Sequence, residues 1–274
     1  MSESNKRNFI VHGSILAIAG ILVRIIGMLY RIPVVNIIGS EGNGIYGAAF
    51  NIYNIMLVLS SYGLPMAVSK LVSARFTKKR YKSAAKVLRC SLMVAVCTGG
   101  IAALLVFFGA SFIENVIYGG GLPGLAVPLR ILAPTIFLVA ILGVIRGFFQ
   151  GQSTMIPTAV SQILEQIVNA IVSIAAGYGM MKAFASSPDV AAYGAAGSTL
   201  GTAMGALTAV LFMGFLYAVY TPTFNRLKRK DRHTENQSTG QICKIIIYTM
   251  IPIILGQTFY QISALIDDVM FSNI

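Results

Sequence analysis

GSILAIAGILVRIIGMLYRIPVVNIIG, residues 13–39, is an apolar run whose only charges are Arg24 and Arg31. A helix of about 20 apolar residues crosses the hydrocarbon core of a bilayer. The run extends from about Phe9 to Ile38 behind Lys6 and Arg7, well beyond the core of a cleavable signal peptide, and reads as a retained first membrane helix. An arginine near the middle of such a span costs at least about 2.5 kcal/mol on insertion scales. One segment therefore sets both the fold class and the first functional question.

Six more runs follow, giving expected spans at 9–38, 44–72, 87–113, 125–149, 156–182, 193–220 and 241–266. Composition agrees. Apolar residues make up 56% of the 274 and charged residues only 11%, and the mean hydropathy is +0.76. A water-facing surface normally takes about a quarter of the residues as charges, so lipid is the solvent for most of this surface. The expectation is an all-α integral membrane protein of about seven transmembrane helices.

The formal charge of +12 does not point to nucleic acid, because the cations cluster in short stretches between apolar runs. Lys and Arg concentrate in the N-terminal tail, the 75–89 segment, the 146–156 turn and the 225–244 stretch. The alternate connections near 40, 118 and 187 carry almost none. The positive-inside rule then places the N-terminus in the cytoplasm.

Several polar residues inside the spans need a reason. Arg24 and Arg31 are seven residues apart and share a helix face, and a guanidinium pair suits a diphosphate or carboxylate. Arg31 could instead snorkel to the outer interface. Gln162, Glu165, Gln166 and Asn169 fall at i, i+3, i+4 and i+7, drawing one polar stripe on the fifth span. Hydrogen bonding between helices accounts for the amides as well as a cavity does, but a buried carboxylate must be paired or protonated. Asn54 shares a face with Asn51 and Ser61 in the second span, ahead of Pro65, which should kink it. Arg146 and Gln150 end the fourth span, where Arg146 reads most simply as an interfacial anchor. Gly194, Gly197, Gly201 and Gly205 read as small-residue packing of the sixth span. Gln257, Gln261 and Asp268 share a face of the seventh, beside Asp267.

Enzyme signatures are missing from the sequence: there is no G-x-S-x-G, no P-loop and no zinc-ligand spacing. Cys90, Cys97 and Cys243 have no paired spacing, and His12 and His233 are far apart. The expectation is a non-enzyme without metal or other cofactor, and without a nucleic-acid partner. Transport without a nucleotide site would be driven by an ion gradient, the membrane potential or the substrate's own gradient.

GSILAIAGILVRIIGMLYRIPVVNIIGSEGNGIYG (13–47), NIYNIMLVLSSYGLPMAVSKLVS (51–73) and RGFFQGQSTMIPTAVSQILEQIVN (146–169) resemble the polysaccharide-biosynthesis branch of the multidrug/oligosaccharidyl-lipid/polysaccharide (MOP) exporter superfamily. That branch includes stage V sporulation protein B and the MurJ-type lipid II flippases. The resemblance implies a V-shaped transporter whose two helical lobes enclose a cationic cavity. It also implies a bacterial cytoplasmic-membrane flippase that moves an undecaprenyl-diphosphate-linked cell-wall, spore-cortex or polysaccharide precursor by alternating access. Arg24 matches a helix 1 arginine that the flippases use around the diphosphate, and Arg31 falls near a second. The second span lacks the arginine that some relatives place there, and Arg146 or a second-lobe residue could replace it.

Such transporters have about twelve to fourteen helices. The chain therefore divides, as an expectation, into an N-terminal six-helix lobe (1–224), a basic cytoplasmic linker (225–240) and the first helix of an incomplete second lobe (241–274). Expected partners are the lipid-linked oligosaccharide, the bilayer, and a missing second lobe or cell-wall synthesis proteins. Two other readings stay open: a multidrug or cation exporter of the same superfamily, and a non-transporting scaffold of a cell-wall synthesis complex.

Overall fold

The computed structural model describes residues 3–232 and 237–272, and every regular element among them is helical. In chain order these are α1 (Glu3–Ser60), α2 (Leu64–Thr77) and α3 (Tyr81–Phe112), which ends in a π-helical turn (Ile113–Ile117). They are followed by α4 (Ala126–Gly151), α5 (Ile156–Ala183), α6 (Val190–Lys230) and α7 (Thr239–Ser272). Six helical stretches among the described residues are long and apolar enough to cross a membrane, and the first, Gly13–Thr77, holds 65 residues. At 1.5 Å per residue that is about 98 Å, roughly three times the hydrocarbon thickness.

Gly39 resolves the excess. Its φ of 72° and ψ of −175° are non-helical and lie in the region that glycine adopts without penalty. The contacts on either side of it run in opposite directions along the bundle. Before Gly39, successive positions meet α5 near Gln166 and then Asn169, and Ile38 reaches Gly194. After it, Gly42 lies against Ala191, and further along Pro65 meets Gly143 and Val72 meets Gly151. The chain therefore crosses once up to Gly39 and once down from it, which with α3 to α7 makes the seven expected crossings.

Two expected boundaries are corrected. Residues 40–44, SEGNG, are helical rather than a loop. One left-handed glycine makes the turn, and Ser40 and Glu41 then supply the polar and acidic residues that suit a helix start. The linker expected at 225–240 begins later, because α6 runs on to Lys230. Its last turn carries Lys228, Arg229 and Lys230, cations that favour a helix C-terminus.

The kink expected at Pro65 is present. Leu64 N–H bonds to the Ser61 carbonyl at 3.0 Å instead of continuing the α-helical pattern to Ser60. The Ser60 carbonyl so released accepts the Thr98 hydroxyl of α3 at 2.9 Å. Helix resumes at α2 with Pro65 in its first turn, where a missing N–H costs nothing.

Close approach of small residues ties the bundle together. On α6, a Cβ added to Gly197, Gly201 or Gly205 would come within 2.4 Å of Ala176 O, 2.0 Å of Ser173 Oγ or 2.6 Å of Glu165 O on α5. This is the small-residue packing expected of the sixth span. A second glycine row lies on α4: Gly143, Gly147 and Gly151 pack on Pro65, Val68 and Val72 of α2. Large apolar side chains such as Phe108, Leu211 and Phe215 point outward uncovered, as lipid-facing positions do.

The connections sort to the two ends. Near Gly39, Gly44 approaches Leu122 and Gly124 approaches Ala192. Both Glu114 carboxylate oxygens accept backbone N–H groups there, from Gly124 at 3.0 Å and Ala126 at 2.8 Å, closing the glycine-rich turn on the start of α4. At the other end, Arg75 donates to Gln237 at 2.9 Å, and Lys82 N–H donates to Asp231 at 2.8 Å. The basic segments thus gather at one end of the bundle.

Candidate functional site

The short turn between α4 and α5 fixes their register and brings Arg146 beside Glu165. Arg146 Nη2 donates to Glu165 Oε2 at 2.7 Å and its Nε to Ser161 Oγ at 2.9 Å. The Ser161 hydroxyl in turn donates to the Thr158 carbonyl at 2.8 Å. The two charged side chains are 14% and 27% exposed, so each would be costly to desolvate alone and the pairing offsets that cost. Two of the five guanidinium donors are used in these bonds.

Arg146 also lines a cleft of about 250 Å³ between the α1–α2 break and the α4–α5 pair. Ser61, Tyr62, Gln150, Thr158 and Gln162 give the cleft its polar lining. The break at Pro65 thus places Ser61 and the exposed Tyr62 on one cleft with a guanidinium, a constellation suited to an anionic or hydroxylated headgroup. Arg146 thus both pairs with Glu165 and lines the cleft.

Asn169 occupies a different setting, buried where α1, α5 and α6 meet. Its amide donates to the Tyr30 hydroxyl at 3.3 Å, while its carbonyl accepts from Ser173 at 2.9 Å. Ser173 lies against the Gly201 approach, so the glycines of α6 set the height of this knot. Gln166, one turn nearer the basic end, abuts Gly27 of α1, 3.2 Å from where a Cβ would stand.

That contact positions the helix 1 arginines. Arg24 and Arg31 flank Gly27 at −3 and +4, so both lie beside the line along which α1 meets the polar stripe of α5. Both are exposed, and neither is in an ion pair among the described residues. Asn54 is half-buried on the second segment of α1. The structure brings Arg146, Glu165 and Gln162 together, sets Gln166 against α1, and leaves Arg24 and Arg31 unengaged. Glu165 is paired with Arg146. Thr158, Ser61 and Tyr62 complete the cleft, and Ser161 holds Arg146 from behind; none of the four was expected as a site residue, although Ser61 and Thr158 stand on the faces read as polar. The side chains of Gln261, Asp267, Asp268 and His12, and all of His233, lie outside the described residues. No group of three or more metal-ligating side chains occurs among the described residues.

Comparison with known proteins gives this geometry a setting. Residues 10–274 match the family model described as polysaccharide biosynthesis protein. The lipid II flippase MurJ of Bacillus subtilis (strain 168) is 34% identical over 176 residues, covering 62% of this chain and 32% of the relative. Stage V sporulation protein B of the same organism is 30% identical over 210 residues, covering 76% of this chain and 39% of the relative. The chain thus spans less than half the length of either. A crystal structure of MATE in the straight conformation superposes with a TM-score of 0.73 at 17% identity, covering 92% of this chain and 53% of that one. This likeness shows the fold: the seven helices match about half of a MATE chain. With an all-α membrane bundle, a polar cleft and a family model matched from residue 10 onward, the chain belongs to the polysaccharide biosynthesis protein family.

Proposed function

We propose that this chain supplies one wall of a flippase for a lipid-linked cell-wall or polysaccharide precursor carrying a diphosphate. In this reading residues 1–224 form the six-helix first lobe and α7 opens the second. The carrying observation is the contrast between the arginines: Arg146 is neutralised by Glu165, whereas Arg24 and Arg31 have no acidic partner among the described residues. An intramembrane arginine without a carboxylate is retained for an anion that comes and goes, and its planar fork matches a diphosphate. Gln162 and Gln166 lie on the same side and would bind sugar or phosphate oxygens. Asn169 drops out of substrate contact, since both ends of its amide already have protein partners. The flippase relative and the stage V relative support the substrate class; the membrane would be the bacterial cytoplasmic membrane.

A multidrug or cation exporter needs an available acid in its cavity. Glu165, the one acid on the α5 stripe, is held by Arg146, which favours the anionic substrate. A scaffold would need no unpaired intramembrane arginine at all.

The test is complementation of a flippase-deficient Bacillus subtilis strain by the full-length transporter that contains this lobe. Arg24→Ala removes charge-assisted hydrogen bonds of about 1.5–3 kcal/mol each and should abolish growth at unchanged membrane abundance. Normal growth with Arg24→Ala would overturn the proposal.

A further inference from the structure

A second polar cleft lies away from the α1–α5 face and shares no residue with it. It measures about 430 Å³ and is lined by Lys82, Lys86 and Arg89 of α3, Lys228 of α6 and Thr239 of α7, over a floor that includes Cys90 and Met93. Four cations from two helices converge there, and no carboxylate lines the cleft among its described residues. Asp231, the acid nearest in sequence, receives the Lys82 backbone N–H and so ties the end of α6 to the start of α3. Lys86 donates to the Gln237 carbonyl, and Lys228 sits over the Phe224 ring at 5.2 Å. Packing thus holds like charges close together, an arrangement that an anion would relieve.

The chemistry of that anion follows from what continues below it. Lys82, Lys86 and Arg89 recur at i, i+4 and i+7 on α3, and the same face runs on through Met93, Cys97, Ile101, Leu104 and Phe108, all exposed. From Arg89 to Leu104 is about 22 Å of helix, more than half of a hydrocarbon core roughly 30 Å thick. One surface thus offers a cationic rim at interfacial height and an uncovered apolar track descending into the bilayer. A soluble phosphate would use only the rim; a phospholipid would use both.

We propose that this cleft binds the phosphodiester of an anionic membrane phospholipid, with an acyl chain laid along the exposed face of α3. The bound lipid bridges α3, the end of α6 and the start of α7, the junction at which α7 joins the first six crossings. The inference does not depend on which substrate the lobe helps to carry.

The chain contains no tryptophan, so a single introduced one is a clean reporter. Met93→Trp is reconstituted in vesicles of dibrominated phosphatidylglycerol or dibrominated phosphatidylcholine, with Phe215→Trp on the outward face of α6 as control. Bromine should quench Met93→Trp with about fivefold preference for phosphatidylglycerol for each cation engaged, and Phe215→Trp with none. Lys86→Gln with Arg89→Gln should cut the preference at Met93→Trp by at least about fivefold, whereas Arg226→Gln with Lys230→Gln, outside the cleft, should leave its preference intact. Parity at Met93→Trp in the parent, or a preference that Lys86→Gln with Arg89→Gln leaves unchanged, would overturn the proposal. Complete displacement of phosphatidylglycerol by millimolar glycerol phosphate would also overturn it, in favour of a soluble phosphate. Native mass spectrometry of the unsubstituted chain provides a reading independent of the variants: retained phosphatidylglycerol supports the site, and equal retention of both lipids refutes it.

Discussion

Arg146 and Glu165 each sit where a lone charge would be destabilising, and their 2.7 Å contact makes each the reason the other is tolerated. Removing one should therefore hurt more than removing both. Arg146→Gln or Glu165→Gln alone is expected to cost about 1–3 kcal/mol, below the range for fully buried pairs because both side chains keep some exposure. The double variant should recover part of that loss in a thermal-unfolding cycle in detergent; strictly additive losses would show the pair to be uncoupled. The sequence identified Glu165 as a residue in need of a partner but did not identify which. Its partner is fixed by the register of two helices around a short turn, where a slip of one residue would point Arg146 elsewhere. Arg24, by contrast, is conspicuous in the sequence before any packing is known, because it stands amid apolar residues; the structure leaves it without an ion pair among the described residues.

At the scale of the helix, glycine spacing carries most of the information. Gly201 and Gly214 lie on the same helix with opposite surroundings. A Cβ at Gly201 would fall 2.0 Å from Ser173 Oγ and 2.5 Å from the Asn169 carbonyl, whereas at Gly214 it meets nothing within 4 Å. Gly201→Ala should push α6 from α5, disturb the Asn169 knot and lower stability by about 1–3 kcal/mol. Gly214→Ala should be neutral or stabilising by up to about 1 kcal/mol through helix propensity. Melting temperatures of the two variants in one detergent check the contrast, and equal shifts would refute the packing account. The α6 glycines and the Pro65 break could be read from sequence because each has one local meaning. The α4 row is equally regular, but its partner is α2 beyond the Pro65 break, which local spacing does not specify. The helical course of 40–44 was not readable, because a polar, glycine-rich stretch normally marks a loop and only the conformation of Gly39 makes one unnecessary.

For the whole molecule, the same sorting that gathers Arg75, Lys82, Lys86 and Lys228 at one end of the bundle makes a statement about orientation. Basic residues resist translocation, so the end bearing them is expected in the cytoplasm, together with the N-terminus. The native thiols Cys90, Cys97 and Cys243 are first replaced by serine, and single cysteines are then placed at Ser153 and Ser186. Ser153 lies in the α4–α5 turn and Ser186 in the α5–α6 turn, and both are exposed. They stand at opposite ends of α5, a helix of 28 residues and so about 42 Å long, enough to carry them to opposite membrane faces. A membrane-impermeant maleimide applied to intact cells should modify Ser186→Cys at once and Ser153→Cys only after permeabilisation. The reverse order would invert the whole bundle, because α5 cannot turn over without the helices whose backbones it touches at Gly197, Gly201 and Gly205. Inversion would also place the Arg146 cleft toward the outer leaflet, so the labelling order decides from which side the cleft would first meet a headgroup.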